Sequence, residues 1–108
     1  MLITNPPIHP GEMLREEFLV PLEMSAGALA RKLGVPRTRI ERLVREETTL
    51  TADTAARLAR YFGSSVEFWL NMQRSYEASC IAADADLQAE LAKIEPREAP
   101  PMEGDEAA

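Results

Sequence analysis

Residues 25–43 read SAGALARKLGVPRTRIERL, and this stretch predicts two short helices joined by a tight turn. Leucines recur at helical spacing in its first half, and Gly34 then supplies the left-handed conformation that commonly closes a helix. Pro36 suits the first turn of a second helix, expected over residues 36–45, because its φ is already near the helical value. Apolar side chains there fall at i, i+3 and i+4, namely Ile40, Leu43 and Val44. This pattern is typical of a helix-turn-helix, whose second helix can lie in the major groove of DNA.

Positive charge is concentrated in this stretch, although the whole chain has a formal net charge of −6. Between residues 30 and 45, six basic side chains stand against one acidic side chain, which is the local charge that a phosphate backbone attracts. Arginine can pair with two acceptors of guanine, and threonine can contact a base or the thymine methyl group. The candidate DNA-binding residues are Arg37, Thr38, Arg39, Arg42 and Arg45 on the second helix, with Thr51 at the next helix start as a possible phosphate contact.

Each of these residues also has an ordinary structural interpretation. The two helices could form a plain hairpin with a solvated basic face, in which every arginine is only a surface charge. Thr51 could simply cap its own helix. The sequence does not distinguish arginines that read bases from arginines that only position the protein on the DNA backbone.

Length and composition favour one small, soluble, all-α domain followed by a tail. The chain has 108 residues, of which 45% are apolar, and no stretch alternates as a half-buried strand does. It contains no signal peptide and no apolar run long enough for a membrane span, so no membrane partner is expected.

The reactive side chains argue against an enzyme. Cys80 is the only cysteine, which excludes an internal disulfide and a cysteine pair for a metal, and it is expected to pack as a small hydrophobe in a reducing cytoplasm. The only histidine, His9, is far from it along the chain. No paired carboxylates, nucleophile and base, or metal-binding cluster is recognisable, so no catalytic activity, metal or cofactor is expected.

The segment before the helix-turn-helix is divided by prolines. Residues 1–9 are expected to be irregular, because adjacent prolines at positions 6 and 7 prevent a helix. A first helix is predicted over Pro10–Leu19, with Pro21 ending it. Ser25 is predicted to cap the helix that follows.

Three more helices are predicted after the helix-turn-helix. Thr51 is expected to cap the first of them. Ser64 and Glu67 fit a capping box for the second, because their three-residue spacing lets each side chain satisfy the other residue's backbone N–H. A short C-terminal helix is expected within residues 81–95, and the segment 96–108, rich in proline and acidic residues, is expected to be a disordered tail.

The second of these helices includes the sequence EFWLNMQRSYEASC, residues 67–80, which has apolar residues on more than one face. Such a helix cannot bury both faces against a four-helix core, so one face is free to meet a second copy. Two copies would also match two DNA half-sites one helical turn apart. The candidate dimer-interface residues are Phe68, Trp69, Leu70, Met72 and Tyr76; alternatively, Trp69 completes the core of the monomer.

Two motifs far apart in the chain identify it more narrowly. HPGE occurs at residues 9–12 and EFWLNMQ at residues 67–73. Further matching residues lie between them, namely Leu14, Glu16, Glu17, Phe18, Leu29, Ala30, Leu33, Gly34, Val35, Leu43, Thr51, Ala55, Leu58 and Ala59. Over about residues 8–77 the chain resembles the HigA-type antitoxins, a branch of the xenobiotic-response-element/Cro-like helix-turn-helix group.

This resemblance implies a compact five-helix Cro/lambda-repressor-like domain over residues 10–80, which binds DNA and forms homodimers. It implies a palindromic double-stranded operator that includes the protein's own promoter. It also implies a small basic HigB-type toxin of the RelE-like ribonuclease class, which the protein would neutralise. Two other functions stay open: a stand-alone dimeric repressor without a toxin, and a protein-interaction module that has lost DNA binding.

The chain departs from the family's pattern in three places. Pro36 stands where the recognition helix often has a serine or another capping residue. Glu46 and Glu47 follow that helix, and we expect these two acids to repel phosphates. Ala26 and Gly27 replace the glutamine or threonine that commonly touches phosphate, so no side-chain contact with DNA is expected from them.

Overall fold

The computed structural model describes residues 2–98, in which all regular structure is helical. In chain order the helices are α1 (Pro10–Leu14, continued by a π-helical turn at Arg15–Leu19 and by Val20–Leu22), α2 (Ala26–Leu33), α3 (Arg37–Val44), α4 (Ala52–Phe62), α5 (Val66–Ala83) and α6 (Ala85–Leu91). The all-α prediction is confirmed. This part of the chain holds six helices: the five expected in the domain are followed by the short C-terminal helix expected within residues 81–95, which is α6. Residues 99–108 of the predicted acidic tail lie outside the described range.

α1 runs further than the sequence predicts. The prediction that Pro21 ends the helix is wrong, because the helix continues through it to Leu22. The preceding turn is widened, since the N–H of Val20 donates to the carbonyl of Arg15, five residues back. Proline lacks the N–H that an α-helical turn needs, and its ring crowds the carbonyl four residues before it; the wider turn accommodates both effects. The helix ends at Glu23, whose φ of 52° is left-handed.

Side-chain caps define the starts of α2 and α4, which confirms the predicted caps. The Oγ of Ser25 accepts the N–H of Ala28 at 3.0 Å, and the Oγ1 of Thr51 accepts the N–H of Thr54 at 3.4 Å. Pro36 instead precedes α3 with an extended ψ of 144°, so the prediction that it lies in the first helical turn is wrong by one position. Within residues 2–98, no side chain therefore caps the start of α3.

The start of α5 also differs from the prediction. Its N-cap is Ser65, whose Oγ accepts the N–H of Phe68 at 3.0 Å, so the predicted capping box of Ser64 and Glu67 is wrong. The Oγ of Ser64 instead accepts the indole N–H of Trp69 at 2.8 Å. A buried indole needs an acceptor for its single donor, and that need determines which of two adjacent serines becomes the cap.

Trp69 is the largest fully buried side chain, with 0% of its surface exposed, and its ring centroid lies 5.0 Å from that of Phe18. Its predicted place in a dimer interface is therefore wrong, because a side chain without exposed surface belongs to the core of the monomer. The other core residues are Leu14, Leu19, Leu29, Ala30, Leu33, Ile40, Leu43, Leu50, Ala55, Leu58 and Ala59. Residues from α1 to α5 thus share one hydrophobic core.

α1 and α3 meet at a glycine. A Cβ on Gly11 would lie 1.8 Å from the carbonyl oxygen of Leu43, so only glycine permits this approach. One turn further along α1, the Nη1 of Arg15 donates to the carbonyl of Val44, and its Nη2 lies 3.3 Å from the Oε2 of Glu46. These contacts fix the C-terminal end of α3 relative to α1.

The segment before α1 lies along α5. The N–H of Thr4 donates to the Oγ of Ser79 at 2.8 Å, and the N–H of Leu2 donates to the Oγ of Ser75 at 3.3 Å. An apolar groove of about 270 Å³ lies beside this segment and α5. Among residues 2–98, no helix combines the length and the apolar character needed to cross a membrane.

Candidate nucleic-acid interface

α3 has one buried face and one exposed face. Ile40 and Leu43 are buried in the core, which follows from their three-residue spacing on a helix. The predicted DNA-binding residues of this segment are all exposed, and they are Arg37, Thr38, Arg39, Arg42 and Arg45. Because the apolar face holds the helix against the core, the arginines are presented to solvent.

A groove of about 520 Å³ lies between α3 and the start of α4. It is lined by four of the six predicted residues, namely Thr38, Arg39, Arg42 and Thr51. The other two lie outside it. The Cδ of Arg37 is 3.0 Å from the position of a Cβ on Gly27, beside the start of α2, and Arg45 follows the last turn of α3.

Three arginines of α3 are already paired with carboxylates. The pairs are Arg37 Nε with Glu41 Oε2 at 3.2 Å, Arg39 Nη1 with Asp53 Oδ2 at 2.6 Å, and Arg42 Nε with Glu47 Oε1 at 4.0 Å. Exposed ion pairs contribute only about 0–1 kcal/mol each to stability. A phosphate or a base edge can therefore compete with these carboxylates for the guanidinium groups.

Asp53 was not among the predicted site residues, yet it joins two elements of the groove. Its Oδ2 accepts from the Nη1 of Arg39 and from the Nε of Arg57, the latter at 2.9 Å. The hydrogen bond from Arg57 and then that from Arg39 lower the pKa of the Asp53 carboxyl. The Nη1 of Arg57 also donates to the carbonyl of Leu33 at 2.8 Å. The sequence shows only the i, i+4 spacing of Asp53 and Arg57, because the contact with Arg39 requires the tertiary fold.

Thr51 has the capping role that the sequence offered as its alternative interpretation. Its Oγ1 accepts the N–H of Thr54 and lies 3.3 Å from the Oγ1 of the same residue. The side chain is exposed at the edge of the groove. Its contact with a DNA phosphate therefore stays a prediction.

The two acids that follow α3 have different surroundings. Glu46 has a left-handed φ of 64°, and its carboxylate is paired with Arg15. The N–H of Glu47 donates to the carbonyl of Arg42 at 2.9 Å, which closes the helix. Arg15 partly compensates the charge of Glu46, a contact that sequence reasoning missed because the residues are 31 positions apart. Repulsion of phosphates by these acids stays a prediction.

α1 is capped by a histidine. His9 is buried, with 4% of its surface exposed, and its Nδ1 accepts the N–H of Gly11 at 2.8 Å. Burial lowers the pKa of His9 because it removes water from the charged imidazolium, although the charges of Glu46 and Glu12 act in the opposite direction. Only an unprotonated Nδ1 can accept a hydrogen bond. Protonation of His9 would therefore break the cap beside the crossing of α1 and α3.

We expect the protein to lose stability as the pH falls below about 6.5. Because the pKa of His9 is lower in the folded protein, its contribution is complete above the unfolded value and is lost as the pH falls through the folded value. Loss of a cap lowers the free energy of unfolding by about 0.5–2 kcal/mol. His9→Asn keeps a capping side chain that does not titrate, so its urea midpoint should fall less between about pH 7.5 and 5.5. The same pH dependence in both proteins would contradict this role of His9.

The other predicted dimer-interface residues lie in two environments. Phe68 is 43% exposed and lines the apolar groove beside the N-terminal segment together with Met72. Leu70 is half-buried and packs against the core, and the ring of Tyr76 packs edge-on against His9 at 4.8 Å. Of the five predicted residues, Phe68 and Met72 therefore lie on one apolar surface.

These features define a helix-turn-helix domain. α2 ends at a glycine turn, and α3 follows it with its arginines exposed and its apolar face buried. The helix-turn-helix family model matches residues 14–69 of the chain. This chain belongs to the helix-turn-helix family, and its resemblance to the HigA-type antitoxins is confirmed.

Three relatives illustrate this membership. The chain is 53% identical over 79 residues to virulence-associated protein I of Dichelobacter nodosus, with 73% of each chain aligned. It is 36% identical to the HTH-type transcriptional regulator YbaQ of Escherichia coli strain K12, over 85% of this chain and 81% of YbaQ. The solved structure of Pseudomonas aeruginosa antitoxin HigA with the higBA promoter is 47% identical and has a TM-score of 0.74, covering 83% of this chain and 97% of that chain.

Proposed function

We propose that the protein is a sequence-specific DNA-binding antitoxin of a type II toxin–antitoxin module. In this role it represses its own operon and neutralises a RelE/HigB-like ribonuclease toxin. The proposal is carried by the exposed arginine face of α3, which lies over a buried face and is fixed by the close contact between Gly11 and Leu43. The similarity to a HigA antitoxin solved with promoter DNA supports it.

The groove between α3 and α4 is the proposed centre of the DNA interface. Thr38, Arg39 and Arg42 line it and would meet base edges or nearby phosphates when α3 enters the major groove. Arg37 and Arg45 lie outside the groove and would contact flanking bases or phosphates. Thr51 would contribute to phosphate binding at the start of α4.

Homodimerisation is proposed because a palindromic operator presents two equivalent half-sites to two copies of α3. The apolar groove lined by Ile8, Met13, Phe68 and Met72 is the surface best suited to self-association. Phe68 and Ile8 expose 43% and 39% of their surfaces in the single chain. Trp69 contributes no surface to this interface, since it is fully buried in the single chain.

The proposed toxin partner follows from the HigA relationship and from charge. The chain carries 18 acidic against 12 basic residues, and six of the basic residues are concentrated between residues 30 and 45, in the proposed DNA-binding part. An acidic surface elsewhere suits a small basic toxin. This pairing is tested by co-expressing the chain with the product of a gene adjacent to its own.

A stand-alone dimeric regulator is the second candidate function. It is favoured by the similarity to YbaQ, which is described as a transcriptional regulator. Both candidates share the DNA-binding face, and they differ only in the toxin. An adjacent gene product that arrests growth alone, and is relieved and co-purified by this protein, supports the antitoxin. Failure of both relief and co-purification favours the regulator.

Footprinting of the DNA upstream of the gene tests the DNA-binding function. We expect two protected half-sites about 34–36 Å apart, the length of one turn of DNA. Affinity measured at 50 and 200 mM salt should fall by about 10³-fold or more if roughly six or more phosphates are contacted. Absence of any protected site at the lower salt concentration would contradict the proposal.

A further inference from the structure

We propose that Asp53 is a positioning residue that determines specificity: it aims Arg39 at base edges and discourages non-specific contacts with phosphate. This inference rests on the proposed DNA-binding function and adds a residue to it. Asp53 is a carboxylate in the groove that would face a polyanion, where a negative charge opposes binding unless it serves another purpose.

The hydrogen bonds of Asp53 connect three helices. Its Oδ2 accepts a hydrogen bond from the Nη1 of Arg39 on α3 at 2.6 Å and another from the Nε of Arg57 on α4 at 2.9 Å. Arg57 in turn donates to the carbonyl of Leu33, the last residue of α2, at 2.8 Å. Arg39 is therefore connected through Asp53 and Arg57 to the backbone of the first helix of the helix-turn-helix.

This network restrains Arg39 before DNA arrives. A free arginine side chain loses rotamer freedom on binding, and a side chain already held in one orientation loses less. A single exposed ion pair holds a side chain weakly, but here Arg57 has two anchors and the three charges form a network. The bond to Asp53 uses one of the five N–H donors of Arg39, so the others are free to pair with guanine.

The same carboxylate affects the two modes of DNA binding differently. Non-specific binding depends almost wholly on phosphate contacts, whereas specific binding also gains from base edges. A negative charge between Arg39 and Arg57 weakens their attraction to phosphates in both modes. Only the specific mode recovers that loss, because the oriented Arg39 gains its base contact.

The test compares Asp53→Asn with the wild-type protein on the footprinted operator duplex and on a random duplex of equal length. We expect the affinity for random DNA to rise about three- to tenfold, and the ratio of operator to random affinity to fall about tenfold. The salt slope on random DNA should steepen by about one, because a released arginine gains a phosphate. Asp53 is exposed, and matching thermal midpoints would show that the variant is folded.

Two further variants distinguish the positioning of Arg39 by Asp53 from the general effect of removing one negative charge. Glu47→Gln removes the same charge near the end of α3, where the carboxylate lies 4.0 Å from Arg42, and should change the ratio less than about twofold. In an Arg39→Ala background, Asp53→Asn should no longer lower the ratio, since the residue that it orients is absent.

The outcomes distinguish this role from the proposed function. A wild-type protein that does not prefer the operator overturns the proposed function and the role of Asp53 with it. A wild-type protein that prefers the operator, with an unchanged ratio in Asp53→Asn, overturns the role of Asp53 alone. The role of Asp53 is also overturned if Glu47→Gln lowers the ratio of operator to random affinity as much as Asp53→Asn does. The same holds if Asp53→Asn lowers that ratio equally in the Arg39→Ala background.

Discussion

Gly11→Ala is expected to lower the free energy of unfolding by about 2–4 kcal/mol. The added Cβ would lie 1.8 Å from the carbonyl oxygen and 2.8 Å from the carbonyl carbon of Leu43. Both are backbone atoms, so no side-chain rotation relieves the clash and the two helices must separate. Alanine normally stabilises a helix by about 1 kcal/mol relative to glycine, and the clash exceeds that gain. The change is measured by urea denaturation.

Gly27→Ala is the matched control, because Gly27 is also the second residue of its helix. A Cβ there meets the Cδ of Arg37 at 3.0 Å, and this exposed side chain can move aside. We expect this variant to be neutral or more stable by up to about 1 kcal/mol. A Gly11→Ala protein as stable as Gly27→Ala would show that α1 and α3 are not held in close contact.

The double substitution Arg37→Ala and Arg39→Ala is expected to reduce operator affinity by about 10²- to 10³-fold, since each arginine paired with guanine gives roughly 1–3 kcal/mol of discrimination. Affinity for random DNA should fall less, because it depends on phosphate contacts across the whole surface. Titration of labelled operator and random duplexes at two salt concentrations measures both effects.

Arg74→Ala with Arg97→Ala controls for the loss of two positive charges. Both residues are exposed, and neither belongs to the helix-turn-helix. This control should change operator affinity less than about threefold at moderate salt, because neither arginine lies on α3 or lines its groove, and salt screens exposed charges that do not contact the DNA. If the Arg37 and Arg39 double variant behaves like the control, a protein-interaction module that has lost DNA binding becomes the better explanation.

The helix-turn-helix could be predicted from sequence because its signals are local. Ser25 caps α2, Gly34 ends it with a φ of 72°, and the spacing of Ile40 and Leu43 identifies the buried face of α3. Once that face is known, the exposed positions of the arginines follow from helical geometry. Cap, turn and periodicity each depend on residues within a few positions of one another.

The errors arise where distant residues decide between local alternatives. In the sequence, the spacing to Glu67 favours Ser64 over Ser65 as the cap of α5, but the Oγ of Ser64 accepts the indole N–H of Trp69, and Ser65 caps the helix instead. An apolar residue on a helix that is apolar on two faces can belong to a core or to an interface. Periodicity does not separate these possibilities for Trp69, and its complete burial agrees with the alternative interpretation, a place in the core of the monomer.

The candidate site was predictable only for the residues of α3 and the cap of α4. Asp53 contacts Arg39 across 14 positions, and Arg15 contacts Glu46 across 31 positions. An acid near a DNA-binding helix looks unfavourable in the sequence alone. Its partner becomes visible only when the fold brings separate helices together.

The indole of Trp69 gives the protein a built-in optical reporter. It is the chain's single tryptophan, shielded from water and flanked by the rings of Phe18 and Phe62. Its fluorescence should shift to the red when α1, α4 and α5 come apart, and should stay unchanged on dilution of a folded dimer into folded monomers. Emission and light scattering together can therefore follow unfolding and subunit dissociation separately, without any attached dye.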